Sequence, residues 1–319
     1  MRALITGGAG FIGSHLAERL VADGYDVLLL DDLSTGRYSN IEHLLGTPQV
    51  EFALGSILNA DLVDDLVRRA DVVYHLAAAV GVELIIEKPV ESLRTNIMGS
   101  EIVLEKCHKY GTPVMVTSTS EIYGKNASDR LGEEDDRILG SPLKSRWSYS
   151  EAKAIEEILA YTYWKQKGLH TVIVRLFNTV GPRQTGRYGM VIPRFVNQAL
   201  RGEPLTVYGD GEQTRTFCYV GDVIDAMVKL ADHPDAPGQA INLGGIEEIS
   251  MRDLAARVIT LTGSESTVRF VGYEEAYEEG FEDMPRRVPD TGRAHKLVGF
   301  DPQVSLDDII SRVIDEQRS

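Results

Sequence analysis

The 319-residue sequence predicts an α/β protein, a doubly wound parallel sheet with a smaller, interleaved C-terminal α/β lobe. Strand-like and helix-like stretches alternate through the first half of the chain, as repeated βα units do. The strand-like stretches are continuous apolar runs, such as residues 27–30, which is typical of strands covered by helices on both faces. A glycine-rich turn joins the first strand to the first helix.

The elements of the first half follow from this alternation. Strands are predicted over residues 2–6, 26–30, 50–53, 72–75, 114–118 and 171–175. Helices are predicted over residues 11–23, 60–70, 90–110 and 148–167.

The pattern changes after about residue 176, where turn-forming glycines and prolines become frequent. Helices are predicted over residues 192–201, 220–231, 251–262 and 306–317, separated by short strand-like pieces. Residues 224–230 and 240–243 are predicted to return to the first domain. We therefore expect residues 1–176, with about 222–245, to form the first domain, and residues 177–221 and 246–319 to form the second lobe.

Composition excludes several classes of function. The net charge of −15 argues against a protein that follows a nucleic-acid backbone. No stretch approaches the roughly 18 apolar residues of a membrane span, and the N-terminal apolar run is too short for a signal peptide. Cys107 and Cys218 form no motif, so a reduced, cytoplasmic protein is expected, although one disulfide stays open. No metal site is predicted.

The glycine-rich turn is the first candidate site. Gly7 and Gly10 allow a tight turn and close approach of a pyrophosphate, while Gly13 lets the helix pack against the strand. Asp31 and Asp32 end the second strand, where a carboxylate accepts from both ribose hydroxyls and repels a 2′-phosphate. The turn therefore predicts a Rossmann-type dinucleotide site that prefers NAD to NADP.

A tyrosine and a lysine form the candidate reacting centre. Tyr149 and Lys153 are four residues apart in the predicted helix over 148–167, so they share one helix face. A phenol titrates near ~10 and must fall by roughly 2–3 units to act as a base near neutrality. A lysine ammonium and the positive nicotinamide of bound NAD together supply that stabilisation of the phenolate.

Polar residues follow the fifth predicted strand, at the sheet edge where ligands sit in open parallel sheets. Thr119 and Ser120 carry short hydroxyls that suit a hydrogen bond to a substrate hydroxyl and a proton relay to Tyr149. Glu121 comes next, and a simpler interpretation is that it caps a turn or forms a salt bridge.

Together these motifs resemble the extended short-chain dehydrogenases/reductases that use NAD to modify nucleotide-sugars. The resembling strings are Gly-x-x-Gly-x-x-Gly from Gly7, the Tyr-x-x-x-Lys pair and the segment from His75 to Ala78. Ser56 stands where the family has an Asp that contacts the adenine amine. The resemblance implies these cofactor-binding residues: Gly7, Gly10, Phe11, Ile12, Gly13, Asp31, Asp32, Ser56, Ile57, Leu76, Ala77, Ala78, Asn96, Thr117, Tyr149 and Lys153.

Three strings of the second lobe resemble the nucleotide-sugar end of the same family. They begin at Arg175, at Gly202 and at Arg286, and the last reads Arg-Arg-Val-Pro-Asp. Arginine suits this task because its planar fork donates two hydrogen bonds to phosphate oxygens. The resemblance implies these substrate-binding residues: Asn178, Arg183, Val207, Tyr208, Arg215 and Arg287.

The residues after the fifth strand bear on the reaction. Thr119-Ser120-Glu121 is similar to the Thr-Ser-Glu of UDP-glucuronate decarboxylases, whereas 4,6-dehydratases carry an Asp in place of Ser120. The resemblance implies decarboxylation of UDP-glucuronate to UDP-xylose through a 4-keto intermediate, with Thr119, Ser120, Glu121, Tyr149, Lys153 and Arg287 as catalytic residues. Residues 79–86 differ from the Ser/Pro-rich segment of typical decarboxylases.

Alternatives stay open at this stage. A UDP-sugar 4-epimerase would share every catalytic residue and differ only in how the keto intermediate is held. A catalytically silent NAD-binding relative is a third possibility, against which the intact Tyr149 and Lys153 pair argues. The resemblance also implies a homodimer formed through the helices over 90–110 and 148–167, and the nucleotide base is undecided.

Overall fold

The computed structural model describes residues 1–80, 89–186, 190–272, 275 and 284–318. At its centre lies a seven-stranded sheet in which every pairing is parallel. In chain order its strands are β1 (Arg2–Thr6), β2 (Asp26–Asp31), β3 (Val50–Leu54), β4 (Val72–His75), β5 (Val114–Thr119), β6 (Thr171–Leu176) and β11 (Ala240–Leu243). Their spatial order is β11-β6-β5-β4-β1-β2-β3, which confirms the predicted doubly wound sheet.

Helices cover both faces of this sheet and build the second lobe. They are α1 (Phe11–Ala22), α2 (Ala60–Arg68), α3 (Pro89–Arg94), α4 (Ser100–Tyr110), α5 (Ser148–Lys167), α6 (Val191–Leu200), α7 (Val220–Ala231), α8 (Met251–Thr262), α9 (Gly292–Val298) and α10 (Leu306–Arg318). Short 3₁₀ helices span Tyr38–Asn40, Ser120–Tyr123 and Ser145–Trp147. Helix α5 ends at Gly168, whose φ of 69° is the left-handed conformation that glycine adopts without a Cβ clash.

Two hydrophobic layers sandwich the sheet. On one face Leu16 and Leu20 of α1 pack with Met227 of α7. On the other face Val63 of α2 and Leu104 of α4 pack with strand residues. Strand side chains are therefore buried on both sides, which is why the strands are continuous apolar runs in the sequence.

The chain returns to the first domain after it has built part of the second lobe, as predicted for residues 224–230 and 240–243. Helix α7 packs in the same core cluster as α1, and β11 pairs in parallel with β6, Ile241 opposite Val174. The domain boundaries themselves stay a prediction.

The second lobe has its own apolar core, formed where Phe195 of α6, Leu254 of α8 and Ile310 of α10 meet. Short strands border it: β7 (Thr179–Val180), β8 (Leu205–Tyr208), β9 (Thr214–Thr216), β10 (Cys218–Tyr219), β12 (Glu248–Ser250), β13 (Val268–Val271) and β14 (Arg286–Arg287). Strand β14 pairs with β9, Arg287 opposite Arg215, so two arginines predicted to bind substrate lie side by side.

The helix predicted over residues 90–110 is present from Pro89 to Tyr110, and it contains a π-helical turn. A π-helical turn, Thr95–Gly99, separates α3 from α4. Such turns insert one residue into the α-helical ladder and occur often at functional sites. Hydrophobic periodicity does not reveal a single-turn change of hydrogen bonding, so the sequence predicted the helix but not its π-helical turn.

Candidate active site

A cavity of about 720 Å³ opens at the carboxyl ends of the central strands. Strands β1 and β4 are neighbours there, and the chain runs outward in opposite directions from them. This is the switch point at which open α/β sheets bind ligands. Second-lobe residues such as Arg215 and Arg287 line the same cavity, so the two lobes share it.

The glycine turn has the shape that a dinucleotide requires. Gly7 has a φ of 72°, and a Cβ added to it would lie 2.8 Å from the backbone nitrogen of Ala77. A Cβ on Gly13 would collide with the backbone of Gly7. The turn is thus packed closely against the end of β4, with Gly10, Phe11 and the backbone N–H groups of the α1 N-terminus at the cavity. These residues fit NAD, whose pyrophosphate they would hold.

The two aspartates at the end of β2 differ in burial and in their hydrogen bonds. Asp31 is buried, and its carboxylate accepts hydrogen bonds from the N–H groups of Ala9 (2.9 Å) and Leu33 (2.8 Å). Burial raises the pKa of Asp31, and the two N–H donors oppose that rise. Asp32 is exposed, and its carboxylate accepts from the N–H of Ser34 at 3.0 Å. Both aspartates line the cavity, with Asp31 also bracing the glycine turn.

Most predicted cofactor residues line the cavity. They are Gly7, Gly10, Phe11, Ile12, Gly13, Asp31, Asp32, Ile57, Leu76, Ala77, Ala78, Thr117, Tyr149 and Lys153.

Ser56 and Asn96 are the exceptions among the described residues predicted to contact the cofactor, since neither lines the cavity. The Ser56 hydroxyl accepts from the N–H of Leu58, so it shapes the turn after β3. Asn96 lies in the π-helical turn, where its amide accepts from the N–H of Ala79 (2.7 Å) and donates to the carbonyl of Ala79 (3.1 Å). Asn96 thus supports the cavity wall after β4, and its direct contact with the cofactor stays a prediction.

Lys153 lines the cavity, and two hydrogen bonds fix its ammonium group. It is 2% exposed, and its Nζ donates to the carbonyl of Thr117 at 2.7 Å and to Glu156 Oε2 at 2.7 Å. The Thr117 hydroxyl donates in turn to the carbonyl of His75 at 3.0 Å. The ammonium is thus fixed to the ends of β4 and β5, where the nicotinamide end of a dinucleotide would lie.

Tyr149 stands in the first turn of α5 and also lines the cavity. Next to it, the Ser150 hydroxyl donates to the carbonyl of Glu121 at 2.9 Å, which ties the start of α5 to the end of β5. Burial, with the negative charges of Glu121 and Glu156, raises the pKa of Tyr149 well above its usual value. A phenolate at Tyr149 therefore depends on positive charge brought into the cavity, as by oxidised NAD.

Thr119 and Ser120 lie where β5 meets the 3₁₀ helix Ser120–Tyr123, and both line the cavity. The Thr119 hydroxyl accepts from the N–H of Glu121 at 3.2 Å, which caps that short helix. Ser120 is 2% exposed. The predicted hydroxyl pair is therefore brought to the same cavity as Tyr149.

Glu121 forms an ion-paired trio with two arginines. Its Oε2 lies 2.5 Å from Arg146 Nη1, and its Oε1 lies 3.6 Å from Arg287 Nη1. Burial disfavours the carboxylate, but Arg146 and Arg287 outweigh that effect and hold the pKa of Glu121 below its usual value. Glu121 is thus charged at neutral pH. The salt-bridge interpretation is correct, and it places the carboxylate at the reacting centre rather than away from it.

Arg146 is a site residue that sequence reasoning missed. It lies in the 3₁₀ helix Ser145–Trp147, lines the cavity and is 8% exposed. Its surroundings in the sequence are polar and turn-like, so an arginine there reads as a surface charge. Its position three residues before Tyr149 was the available signal, because a residue one helical turn earlier shares that face.

The nucleotide-sugar end gathers Asn178, Val207, Tyr208, Arg215 and Arg287 on one wall of the cavity. The Asn178 amide donates to the carbonyl of Thr216 at 2.8 Å and accepts from Arg287 Nη2 at 2.6 Å. Both hydrogen bonds hold residues of the wall in place.

Arg194 was also missed by sequence reasoning. It lines this wall, and its guanidinium carbon lies 4.4 Å from the centre of the Tyr208 ring. Stacking of this kind holds the guanidinium plane over an aromatic ring, close to the residues predicted to bind the nucleotide.

Arg183 lies at the cofactor side of the cavity. Its guanidinium donates to Glu18 at 2.7 and 3.0 Å and to the carbonyl of Asn40 at 3.2 Å. Its φ of 68° places it in the left-handed region, where a non-glycine residue is strained. These contacts tie the loop to α1, and the predicted substrate contact of Arg183 stays a prediction.

Residues 81–86 of the segment that differs from typical decarboxylases lie outside the described part of the chain. Ala79 and Val80, which begin that segment, line the cavity. Within the described residues, no helix combines the length and the apolar character needed to cross a membrane.

The sheet, the glycine cradle and the Tyr149 and Lys153 pair together define a dinucleotide-dependent enzyme of the short-chain dehydrogenase class. The profile of the NAD dependent epimerase/dehydratase family matches residues 3–244, and the chain belongs to that family. The predicted family and the predicted cofactor, NAD, are thereby confirmed.

Known relatives extend over nearly the whole chain. A UDP-N-acetyl-alpha-D-glucosaminuronate decarboxylase of Bacillus cytotoxicus is 42% identical over 98% of this chain and 96% of its own. UDP-glucuronic acid decarboxylase 1 of Xenopus tropicalis is 36% identical over 98% of this chain and 71% of its own. The crystal structure of UDP-glucuronic acid 4-epimerase from Bacillus cereus, in complex with UDP-glucuronic acid and NAD, has a TM-score of 0.90 at 32% identity over 100% of this chain and 99% of its own.

Proposed function

We propose that this protein is an NAD-dependent decarboxylase of a UDP-hexuronate, with UDP-glucuronate converted to UDP-xylose through a transient 4-keto intermediate. The relatives with decarboxylase names support this prediction over 4-epimerisation. The observation that carries the proposal is the Glu121 carboxylate, held by Arg146 and Arg287 in the cavity that Tyr149 lines.

The first step is oxidation at ring carbon 4. Tyr149 accepts the proton of the carbon-4 hydroxyl, and Lys153, fixed by Thr117, stabilises the phenolate that must be present beforehand. When NAD is bound, it would accept the hydride from carbon 4. Thr119 and Ser120 hold the oxygen of the resulting ketone from the end of β5.

The second step is loss of carbon dioxide. The ketone at carbon 4 is beta to the carboxylate on carbon 5, so the electron pair of the breaking carbon–carbon bond moves into an enolate. Glu121 and Arg287 orient the ring, and a proton from solvent is added to carbon 5 on their side of the cavity, in place of the lost carboxyl group. Tyr149 then returns its proton to the oxygen on carbon 4, and because bound NADH would give the hydride back to carbon 4, the reaction has no net oxidation.

A 4-epimerase is the second candidate function, because the similar Bacillus cereus structure is that of a UDP-glucuronic acid 4-epimerase. Both reactions use the same oxidation at carbon 4, so Tyr149 and Lys153 do not distinguish them. They differ in whether the carboxylate of the intermediate is retained and the ring turns over before hydride returns.

The name of the Bacillus cytotoxicus relative raises a second substrate, the uronate with an N-acetyl group on carbon 2. Purified protein should be incubated with NAD and either UDP-glucuronate or UDP-N-acetylglucosaminuronate, and the products read by proton NMR. Loss of the carboxyl carbon from either one supports the decarboxylase. A UDP-galacturonate product with all carbons retained would establish the epimerase instead.

We also propose that the protein is a cytoplasmic homodimer. The outer face of α5 carries Ile158 (61% exposed) and Tyr161 (42% exposed), and Met98 (48% exposed) of the π-helical turn is exposed as well. Apolar side chains in such a stripe support pairing of two copies. Both cysteines are buried free thiols, which suits a reducing compartment. Sedimentation velocity tests the dimer.

A further inference from the structure

Glu156 is a buried carboxylate to which the mechanism above assigns no task. It lies on α5 three residues after Lys153, and its side chain has no exposed surface. Its Oε2 accepts from Lys153 Nζ at 2.7 Å. A fully buried glutamate is rare unless it is paired, so the pair with Lys153 accounts for its presence there.

Two neutral side chains, His75 and Ser100, lie against the rest of this carboxylate, and the charge of Glu157 also acts on it. Glu156 Oε1 lies 3.8 Å from Nε2 of His75, which is also fully buried. Thr6 accepts from the N–H of Ala77, and its hydroxyl oxygen lies 2.7 Å from His75 Nδ1. Ser100 donates to a backbone carbonyl and therefore accepts from Nε2. These hydrogen bonds assign the Nε2–H tautomer to His75.

His75 therefore brings no charge to Glu156, and its Nε2–H is donated to Ser100. Burial, together with the Lys153 ammonium, lowers the pKa of His75 to about 3, which keeps the ring neutral. Lys153 is then the counter-charge of Glu156 within this buried group. Glu157, the next residue, faces Arg175 instead, with hydrogen bonds of 2.9 and 2.8 Å.

The geometry of Lys153 shows what Glu156 does to it. An ammonium has three donors. One points to the Thr117 carbonyl and one to Glu156, so a single N–H is left for the cavity, where Lys153 and Tyr149 both form part of the lining. The carboxylate fixes that direction, and its negative charge offsets part of the ammonium charge that reaches Tyr149.

We propose that Glu156 is a positioning residue that aims the Lys153 ammonium at the cavity and moderates its charge at the Tyr149 phenol. The proposal rests on the acid–base role of Tyr149 given above. Among the residues that the structure describes, Glu121 is the other carboxylate whose charge acts on the phenol, and Arg146 and Arg287 hold it, whereas Glu156 acts through Lys153.

The charge of Glu156 changes the pKa of Tyr149 in a definite direction. The negative charge of Glu156 contributes to the raised pKa of Tyr149, after burial and Glu121. Burial raises the pKa of Glu156 itself, and the Lys153 ammonium, 2.7 Å from its Oε2, opposes that rise. Removing the carboxylate should lower the pKa of Tyr149.

The test is Glu156→Gln, which keeps an acceptor oxygen and removes the charge. The chain has 13 tyrosines, so tyrosinate absorbance should be titrated with NAD bound, in each protein against its own Tyr149→Phe counterpart. We expect the pKa of Tyr149 in E156Q to fall by about one pH unit, from one charge at several ångströms in a partly screened site. The acid limb of kcat/KM should move to lower pH by the same amount. A Tyr149 pKa equal to or above that of the wild type overturns the proposal.

Glu157→Gln is the matched control, because it removes a buried carboxylate one residue away that does not touch Lys153. Its Tyr149 titration should match the wild type, and a shift as large as that of E156Q would overturn the proposal. Should E156Q fail to fold, Glu156→Asp keeps the charge and shortens the reach. We then expect a wild-type titration with kcat lowered on the order of tenfold, and an unchanged kcat would overturn the positioning role. The titration uses no uronate substrate, so it measures the pKa of Tyr149 even if the protein does not catalyse the proposed reaction.

Discussion

Replacing Glu121 by glutamine tests the ion-paired trio at the reacting centre. The change removes a carboxylate whose oxygens lie 2.5 Å from Arg146 and 3.6 Å from Arg287. Removing one partner of a fully buried ion pair costs about 3–5 kcal/mol of unfolding free energy. The Glu121 side chain is 19% exposed, so water relieves part of that cost. We expect a loss of about 2–3 kcal/mol, measured by urea denaturation.

The same change should affect the second chemical step more than the first. Decarboxylation should slow on the order of 10²–10³-fold, or about 3–4 kcal/mol, the usual effect of removing one group from a preorganised electrostatic site. Oxidation at carbon 4 depends on Tyr149 and Lys153, which stay in place, and loss of the Glu121 charge lowers the pKa of Tyr149, which favours this first step. A single turnover with UDP-glucuronate should therefore accumulate NADH absorbance before carbon dioxide is released.

Glu133→Gln is the control for Glu121→Gln. The Glu133 side chain is 6% exposed and lies 3.9 Å from Arg293, and it does not line the cavity. It should lose stability and keep the decarboxylation rate. A folded Glu121→Gln protein that decarboxylates at the wild-type rate would refute the role given to Glu121.

Three further changes test other parts of the site. Tyr149→Phe should lower kcat on the order of 10²–10⁴-fold while NAD affinity by calorimetry stays near that of the wild type; retained turnover would reassign the base. Gly7→Ala should destabilise the protein more than Gly111→Ala. Both glycines have positive φ, a conformation that alone costs an alanine about 1–2 kcal/mol, but only at Gly7 would the added Cβ lie 2.8 Å from the backbone of Ala77. Equal melting temperatures of the two variants would contradict the close approach. Arg183→Ala should weaken NAD binding more than UDP binding, since Arg183 is tied to α1 through Glu18; the reverse order in calorimetry would support the sequence prediction of a substrate contact.

Much of the fold could be predicted because local sequence and global structure agree. The apolar strands are buried on both faces, so their pattern in the sequence is unbroken. Gly7 and Gly13 stand at a strand-to-helix turn where a side chain would collide with neighbouring backbone, and that requirement is visible in the residue spacing. Tyr149 and Lys153 are brought together by one helix, which needs no tertiary information.

The remaining features depend on tertiary contacts. Asn96 reads as one more position in a long helix, but a π-helical turn directs its amide to Ala79. Glu156 reads as a solvated helix position, and its burial follows from His75, far earlier in the chain. In the sequence Arg146 looks like a charge on a loop, and the contact with Glu121, which follows β5, is visible only in the fold. Sequence periodicity reports which face of an element is apolar, and it does not report which distant polar group that face meets.

The central claim, a transient ketone at carbon 4 with return of the same hydride, is tested most directly by isotope labelling. UDP-glucuronate carrying deuterium at carbon 4 should be converted in ordinary water with catalytic NAD, and the product examined by proton NMR and mass spectrometry. The account predicts UDP-xylose with the deuterium retained at carbon 4 and a solvent proton at carbon 5. Deuterium lost from carbon 4, or a product that keeps its carboxyl group, would contradict it.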